Sequence, residues 1–219
     1  IIFNSITEKL LKAEEETPVV EYVEARNLHD RVDLSLNQKG MEEESFQELL
    51  EDLVLTTPRT SSNLFFNQLF GGRKSKAVLG DLLAVMLNNS MYTYKVGGPQ
   101  VGVEKSIINK LCEMVGYGKA GNGTFPSGGS MSNMMAMIMA RDAHDAEIKL
   151  EGTPKKLIVY TSRESHYSTP KNAAMMGIGR NNVRYVNTNF QGELVSDHLE
   201  ELVLADLEVG NTPFFVNLT

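Results

Sequence analysis

The stretch from Lys156 to Leu218 constrains the fold more than any other part of the chain. Short β-branched, apolar runs, Lys156 to Thr161 (KLIVYT), Val183 to Val186 (VRYV) and Pro213 to Leu218 (PFFVNL), alternate with helical patterns. The helices are Ser168 to Met176 (STPKNAAMM) and one that starts at Ser196-Asp197 and runs through Leu199, Leu202, Val203 and Leu207. Runs this short and this apolar suit strands buried on both faces. Strands separated by helices at this spacing mean βαβ units, and hence a parallel sheet with right-handed crossovers. Gly177 and Gly179 end the first helix. In such a sheet the working residues gather beyond the C-terminal ends of the strands. Thr219 lies at such an end, and a domain is expected to continue there.

Upstream, Gly121 to Arg141 reads GNGTFPSGGSMSNMMAMIMAR, a glycine- and serine-rich loop running straight into a methionine-rich helix. Gly121, Gly123, Gly128 and Gly129 let the backbone turn and approach a ligand closely. The first turn of a helix offers unpaired N–H groups and the positive end of the macrodipole. The loop therefore reads either as a phosphate seat or as a tight turn with Ser130 or Ser132 as N-cap. No lysine follows the paired glycines, so a P-loop is excluded, and Gly121, Gly123 and Gly128 do not make GxGxxG. There is no GxSxG elbow and no zinc-type ligand spacing, so no metal site is expected. A small phosphate-bearing cofactor remains. The Met134, Met135, Met137 and Met139 run reads as core packing.

The N-terminal part is helical. Phe3, Ile6, Leu10 and Leu11 make one amphipathic stripe, and Phe46, Leu49, Leu50, Leu53 and Val54 make another over Glu42 to Leu55. Lys76 to Asn89 and Pro99 to about Val115 read as further helices, the last with Pro99 in its first turn. Pro18 to Gly40 reads as an irregular connection, and Ser90 to Gly98 (SMYTYKVGG) as an extended one. The expected division is 1–90, a helical segment, and 91–219, an α/β portion. With 42% hydrophobic and 22% charged residues the composition is that of a soluble globular protein. A net charge of −7 disfavours nucleic acid and anionic membranes as partners. The single cysteine, Cys112, cannot form an internal disulfide, and no apolar run reaches membrane-span length. A cytoplasmic location follows as the expectation. A first residue Ile1 rather than Met points to residues upstream.

His166, in TSRESHYSTPK, follows directly on the strand Lys156 to Thr161. It is either a working residue at the strand end or a solvated loop histidine. His29, His144 and His198 lie beside acidic residues and read as solvated.

Five motifs carry a family resemblance: FFNQLFGGR (Phe65 to Arg73), MYTY (Met91 to Tyr94), FPSGGSMSNMMAM (Phe125 to Met137), SRESHYS (Ser162 to Ser168) and PFFVNLT (Pro213 to Thr219). In order and spacing they resemble the group II pyridoxal-phosphate-dependent amino acid decarboxylases, within them the glutamate and cysteine-sulfinate branch, from about Val32 onward. The resemblance implies a fold-type I transferase-like α/β architecture, with a mostly parallel sheet flanked by helices and a helical N-terminal segment that acts as a dimerisation arm. It implies pyridoxal 5'-phosphate as cofactor and an amino acid as substrate, acidic in this branch, decarboxylated to the amine and CO2.

The roles implied by the resemblance are specific. Met131 (through its backbone) and Ser132, beside Ser130, hold the cofactor phosphate. His166 stacks on the pyridine ring and helps orient the reacting group, and Thr219 contacts the ring substituents or the substrate end. Asn67 and Gln68 fall on an amide pair for the substrate carboxylate, and Tyr92 and Tyr94 on a segment reaching the neighbouring subunit's site. Arg73 is a further candidate charge for a side-chain carboxylate. The family's cofactor-bearing lysine and the aspartate that pairs with the pyridine nitrogen lie downstream of PFFVNLT, and neither Lys156 nor Lys171 matches that lysine. The expected partners are therefore the C-terminal half of the same enzyme, as a second chain, and a homodimer of complete subunits. Alternatives are decarboxylation of diaminobutyrate or an aromatic amino acid, or a non-catalytic fragment acting through its dimer surface.

Overall fold

The computed structural model describes residues 2–36, 38–153 and 156–218, and its residues group into two compact units, 1–90 and 91–219. In the first unit α1 (Ile2–Glu16), a single turn α2 (Leu28–Arg31), α3 (Glu43–Thr56) and α4 (Ser75–Leu87) follow one another. The connection read as irregular thus contains helical turns. α1 packs on α3. Arg59 locks the join: its buried guanidinium donates to the Pro18 carbonyl and to the Leu55 carbonyl at the end of α3. Those carbonyls have no helical partner of their own, and the arginine satisfies them.

The second unit runs α5 (Tyr94–Gly97), α6 (Pro99–Met114), α7 (Gly129–His144), α8 (Ile148–Glu151), β1 (Leu157–Ser162), α9 (Ser168–Met175), β2 (Val183–Val186), α10 (Ser196–Glu208) and β3 (Thr212–Val216). Ser90 to Gly98 is not extended throughout. It holds the one-turn α5, closed by Gly98 at φ +53° just before Pro99 starts α6.

The sheet is parallel in the order β2-β1-β3. All six residues of the central β1 are buried. Leu157 and Val159 pack with Met137, Ile148, Ala173, Ile178 and Val183 on the α7–α9 side. Ile158 and Tyr160 pack with Val186 and the α10 residues Leu199, Leu202 and Val203 on the other. Helices thus cover both faces, which is why β1 reads as a continuous apolar run. Between Ile158 and Val159 the β1–β3 register slips, Ile158 facing Pro213 and Val159 facing Phe215. Phe214 is the extra residue of this bulge, so two successive phenylalanines reach the same cluster.

Of the methionine run only Met137 is core. Met139 is exposed, and Met134 lines a cavity described below. The correction to His198 is of the same kind: it is half-buried, and its Nδ1 accepts the Asn187 N–H at 2.9 Å.

Candidate functional site

The glycines of the loop before α7 do two different jobs. A Cβ on Gly121 would sit 2.8 Å from Cys112 Cβ and Sγ and from Tyr117 Cβ, so this position is glycine for packing against α6. Glu104 of α6 pins the same loop by accepting the Thr124 hydroxyl at 3.0 Å and the Phe125 N–H at 3.1 Å. Gly128 meets no neighbour within 4 Å, but holds φ +155° and ψ 161°, a region only glycine occupies freely.

Gly128 is the N-cap of α7, and neither Ser130 nor Ser132 caps the helix. The physical reason is the early turn at Gly128: its carbonyl accepts the Met131 and Ser132 N–H groups at 3.0 Å each, and the Ser132 hydroxyl at 3.3 Å. The amides expected to hold a phosphate, those of Met131 and Ser132, are therefore engaged within the helix. The Gly129 and Ser130 N–H groups have no protein acceptor among the described residues, and stand at the positive end of a 16-residue helix. They open on a cavity of about 330 Å³ lined by Gly128, Gly129, Ser130, Met134, Lys171 and Asn172.

α9 lies against α7 and brings His166 alongside. Asn172 Nδ2 donates to the Ser130 carbonyl at 3.0 Å, and Asn133 Nδ2 to Ser168 Oγ at 2.8 Å. Ser168 Oγ is 2.9 Å from His166 Nδ1, and the Ser168 N–H donates to the same nitrogen at 3.2 Å. A backbone N–H can only donate, so this geometry suits the tautomer in which Nδ1 accepts and Nε2 carries the proton. The imidazole is exposed, with the Tyr167 ring tilted 36° to it at a centroid distance of 4.3 Å.

The loop carrying His166 is tied to the strand ends. Thr161 donates to Ser165 Oγ at 2.6 Å, and Asn217, just past β3, reaches both hydroxyls at 3.4 Å. The C-terminal ends of β1 and β3, the start of α9 and the N-terminus of α7 thus converge. Ser130, Met131, Ser132 and His166 come together there, all in the second unit. Asn133, Ser168, Lys171, Asn172 and Asn217 also belong to this neighbourhood and were not among the sequence candidates. Ser168, Thr169 and Asn172 share one face of α9 and are all buried, but in the sequence alone they read as ordinary polar helix residues.

Tyr94 is exposed at the start of α5. Asn67 and Gln68 belong to the first unit and are exposed, with Asn67 Oδ1 closing its own turn on the Leu69 N–H at 2.8 Å. Arg73 is not a free charge: it pairs with Glu14. Thr219 lies outside the described residues. Among those residues no cluster of three His, Cys, Asp or Glu has the arrangement of a metal site.

Residues 26–219 match the pyridoxal-dependent decarboxylase conserved domain. The chain belongs to this family. Its cofactor is pyridoxal 5'-phosphate, and the site fits one half of that molecule on its own geometry. Two open amides, a helix N-terminus and the Lys171 side chain suit a phosphate. The acidic amino acid decarboxylase GADL1 of Mus musculus is 36% identical over 92% of this chain and 37% of its own length. The cysteine sulfinic acid decarboxylase of Mus musculus is 36% identical over 92% of this chain and 41% of its own. The crystal structure of mouse CSAD superposes with a TM-score of 0.94 at 32% identity, covering 98% of this chain and 46% of that one. The chain therefore spans about two fifths of the length of these curated relatives. Within the family fold, the sheet and helices found here match the fold-type I neighbours, with a helical N-terminal segment.

Proposed function

We propose that this chain is part of a pyridoxal-phosphate-dependent carboxy-lyase that decarboxylates an acidic L-amino acid (glutamate, aspartate or cysteine sulfinate) to its amine. The observation that carries the reading is the convergence of the α7 N-terminus with His166 at the strand ends. The names of the similar proteins point to acidic substrates. When bound, the cofactor supplies the sink for the electron pair released as CO2 leaves.

In this reading the Gly129 and Ser130 amides and the hydroxyls of Ser130 and Ser132 hold the phosphate, with Lys171 offsetting its charge. Met131 contributes through its place in the same turn. His166 lies against the cofactor ring and presents Nε2–H as a donor. Asn67 and Gln68 receive the substrate carboxylate, Tyr94 contributes to a neighbouring subunit's site, and Thr219 contacts the cofactor or substrate. The segment 1–90 serves as a dimerisation arm and 91–219 as the first part of the cofactor-binding domain. Support for the arm comes from α4, whose Leu79, Val85 and Met86 are all more than half exposed on a helix with few charges. A helix apolar all round belongs in an interface. The working form is a cytoplasmic homodimer that includes the remaining length of the relatives, where the cofactor-bearing lysine is expected.

The test is a substrate panel on the intact protein with added pyridoxal phosphate. CO2 release is expected from cysteine sulfinate, aspartate or glutamate ahead of diaminobutyrate and aromatic amino acids. Release from the latter alone overturns the substrate assignment, and no release from any of them overturns the reaction.

A further inference from the structure

We propose that Asn133 and Ser168 are positioning residues that set the orientation and tautomer of His166. The inference rests on the reading of His166 as a working side chain of the decarboxylase site.

The chemistry of each group fixes the direction of the chain. The amide nitrogen of Asn133 can only donate, so Ser168 Oγ accepts from it at 2.8 Å. The hydroxyl proton of Ser168 is then free for the other neighbour, His166 Nδ1 at 2.9 Å. The Ser168 N–H adds a second donor to that nitrogen at 3.2 Å. Both arrive where only a bare nitrogen can receive them, leaving Nε2–H as the ring's donor. Ser168 has no exposure to solvent, so water does not compete for its hydroxyl. The Tyr167 ring, 4.3 Å away, restrains the imidazole from the side.

The relay also joins two functions. Asn133 sits one turn into α7, the helix whose first amides face the cavity, and Asn172 ties α9 to the Ser130 carbonyl of that same first turn. A shift of the anion seat relative to α9 is thus carried to the imidazole.

The experiment uses the intact holoenzyme labelled with ¹⁵N-histidine and long-range ¹H–¹⁵N correlation, which reads the protonation of each ring nitrogen. The chain has four histidines, and His166 is assigned by the signal lost in His166→Gln. The expected wild-type signal has Nδ1 bare and Nε2 protonated. In Asn133→Asp the Ser168 hydroxyl donates to the new carboxylate instead of the ring, Nδ1 keeps only the longer bond from the Ser168 N–H, and the His166 signals are expected to move toward the Nδ1-protonated tautomer. In Ser168→Ala the ring is expected to populate both tautomers.

Turnover should fall about 10- to 100-fold in both variants, the range for loss of a group that orients a working imidazole, with KM little changed. His166 signals unchanged in both variants overturn the proposal. If the buried Ser168→Ala site fails to fold by circular dichroism, the half-buried Asn133→Asp carries the test alone. The tautomer is also read without cofactor, so a protein that takes up no pyridoxal phosphate contradicts the functional reading and leaves this one measurable.

Discussion

Gly128 holds a backbone conformation that costs a residue with a Cβ about 1–3 kcal/mol. Nothing crowds the position, so Gly128→Ala is expected to leave the protein folded and to turn the first amides of α7 away from the cavity. Affinity for pyridoxal phosphate, read by fluorescence titration of the intact apoprotein, should fall by at least ~10-fold, one such increment of free energy. Gly121→Ala acts differently. Its Cβ would collide with Cys112 and Tyr117, and the expected result is a loss of about 1–3 kcal/mol in denaturant unfolding, with cofactor affinity less affected. The two glycines look alike in the sequence, and only their neighbours separate them. The place of His166 just past a strand was legible from the apolar run before it, but position left open a solvated histidine, and its role came from the family resemblance alone. Ser168 and Asn133 were not legible, because a buried serine has the same letter as a capping one.

At the scale of elements, α10 is held to the sheet by a buried carboxylate. Asp206 accepts Tyr160 OH at 2.9 Å from β1, Arg184 Nε at 2.9 Å and Nη2 at 2.6 Å from β2, and Asn211 Nδ2 at 2.6 Å. Burial opposes its ionisation, but the bonds from Arg184, Asn211 and Tyr160 outweigh burial and hold the carboxyl below the usual range. A lowered carboxyl contributes stability that is complete above the unfolded value near ~4 and is lost as pH falls through the folded one. Asp206→Asn is therefore expected to be less stable near neutrality, by roughly 3 kcal/mol, the lower end for breaking a buried pair. Its stability should also depend less on pH in the acid limb of a urea-unfolding series.

Tyr160 shows the opposite behaviour. Burial, with the bond to Asp206, pushes its hydroxyl up from the ordinary value. Its contribution is complete below about pH 10 and lost above it, a loss that Tyr160→Phe should remove. The three strands and the helices α9 and α10 were legible from periodicity, with ends within two residues of those observed, while α7 runs three residues past the Arg141 read from the sequence. This network was not legible, since Arg184, Asp206 and Tyr160 stand far apart in sequence and meet only once the sheet is formed. The short turns α2, α5 and α8 escaped because one turn of helix has too few residues to show a period.

For the whole molecule, the architecture and the family were written in five motifs spread over most of the chain, and the match over residues 26–219 bears this out. This chain spans 37% and 41% of the lengths of the two mouse relatives. The apolar α4 makes a further prediction at this scale. If α4 lies in the proposed homodimer interface, replacing Val85 and Met86 by glutamate together should convert the intact protein to smaller species in analytical ultracentrifugation, and an unchanged sedimentation profile would remove α4 from that interface. The most direct test of the account is CO2 release by the intact protein, with and without pyridoxal phosphate, from cysteine sulfinate, aspartate and glutamate. Cofactor-dependent release from at least one of them, lost or strongly reduced in His166→Gln, is the expected result. Uptake of the cofactor at the α7 terminus with no release from any acidic substrate would contradict it.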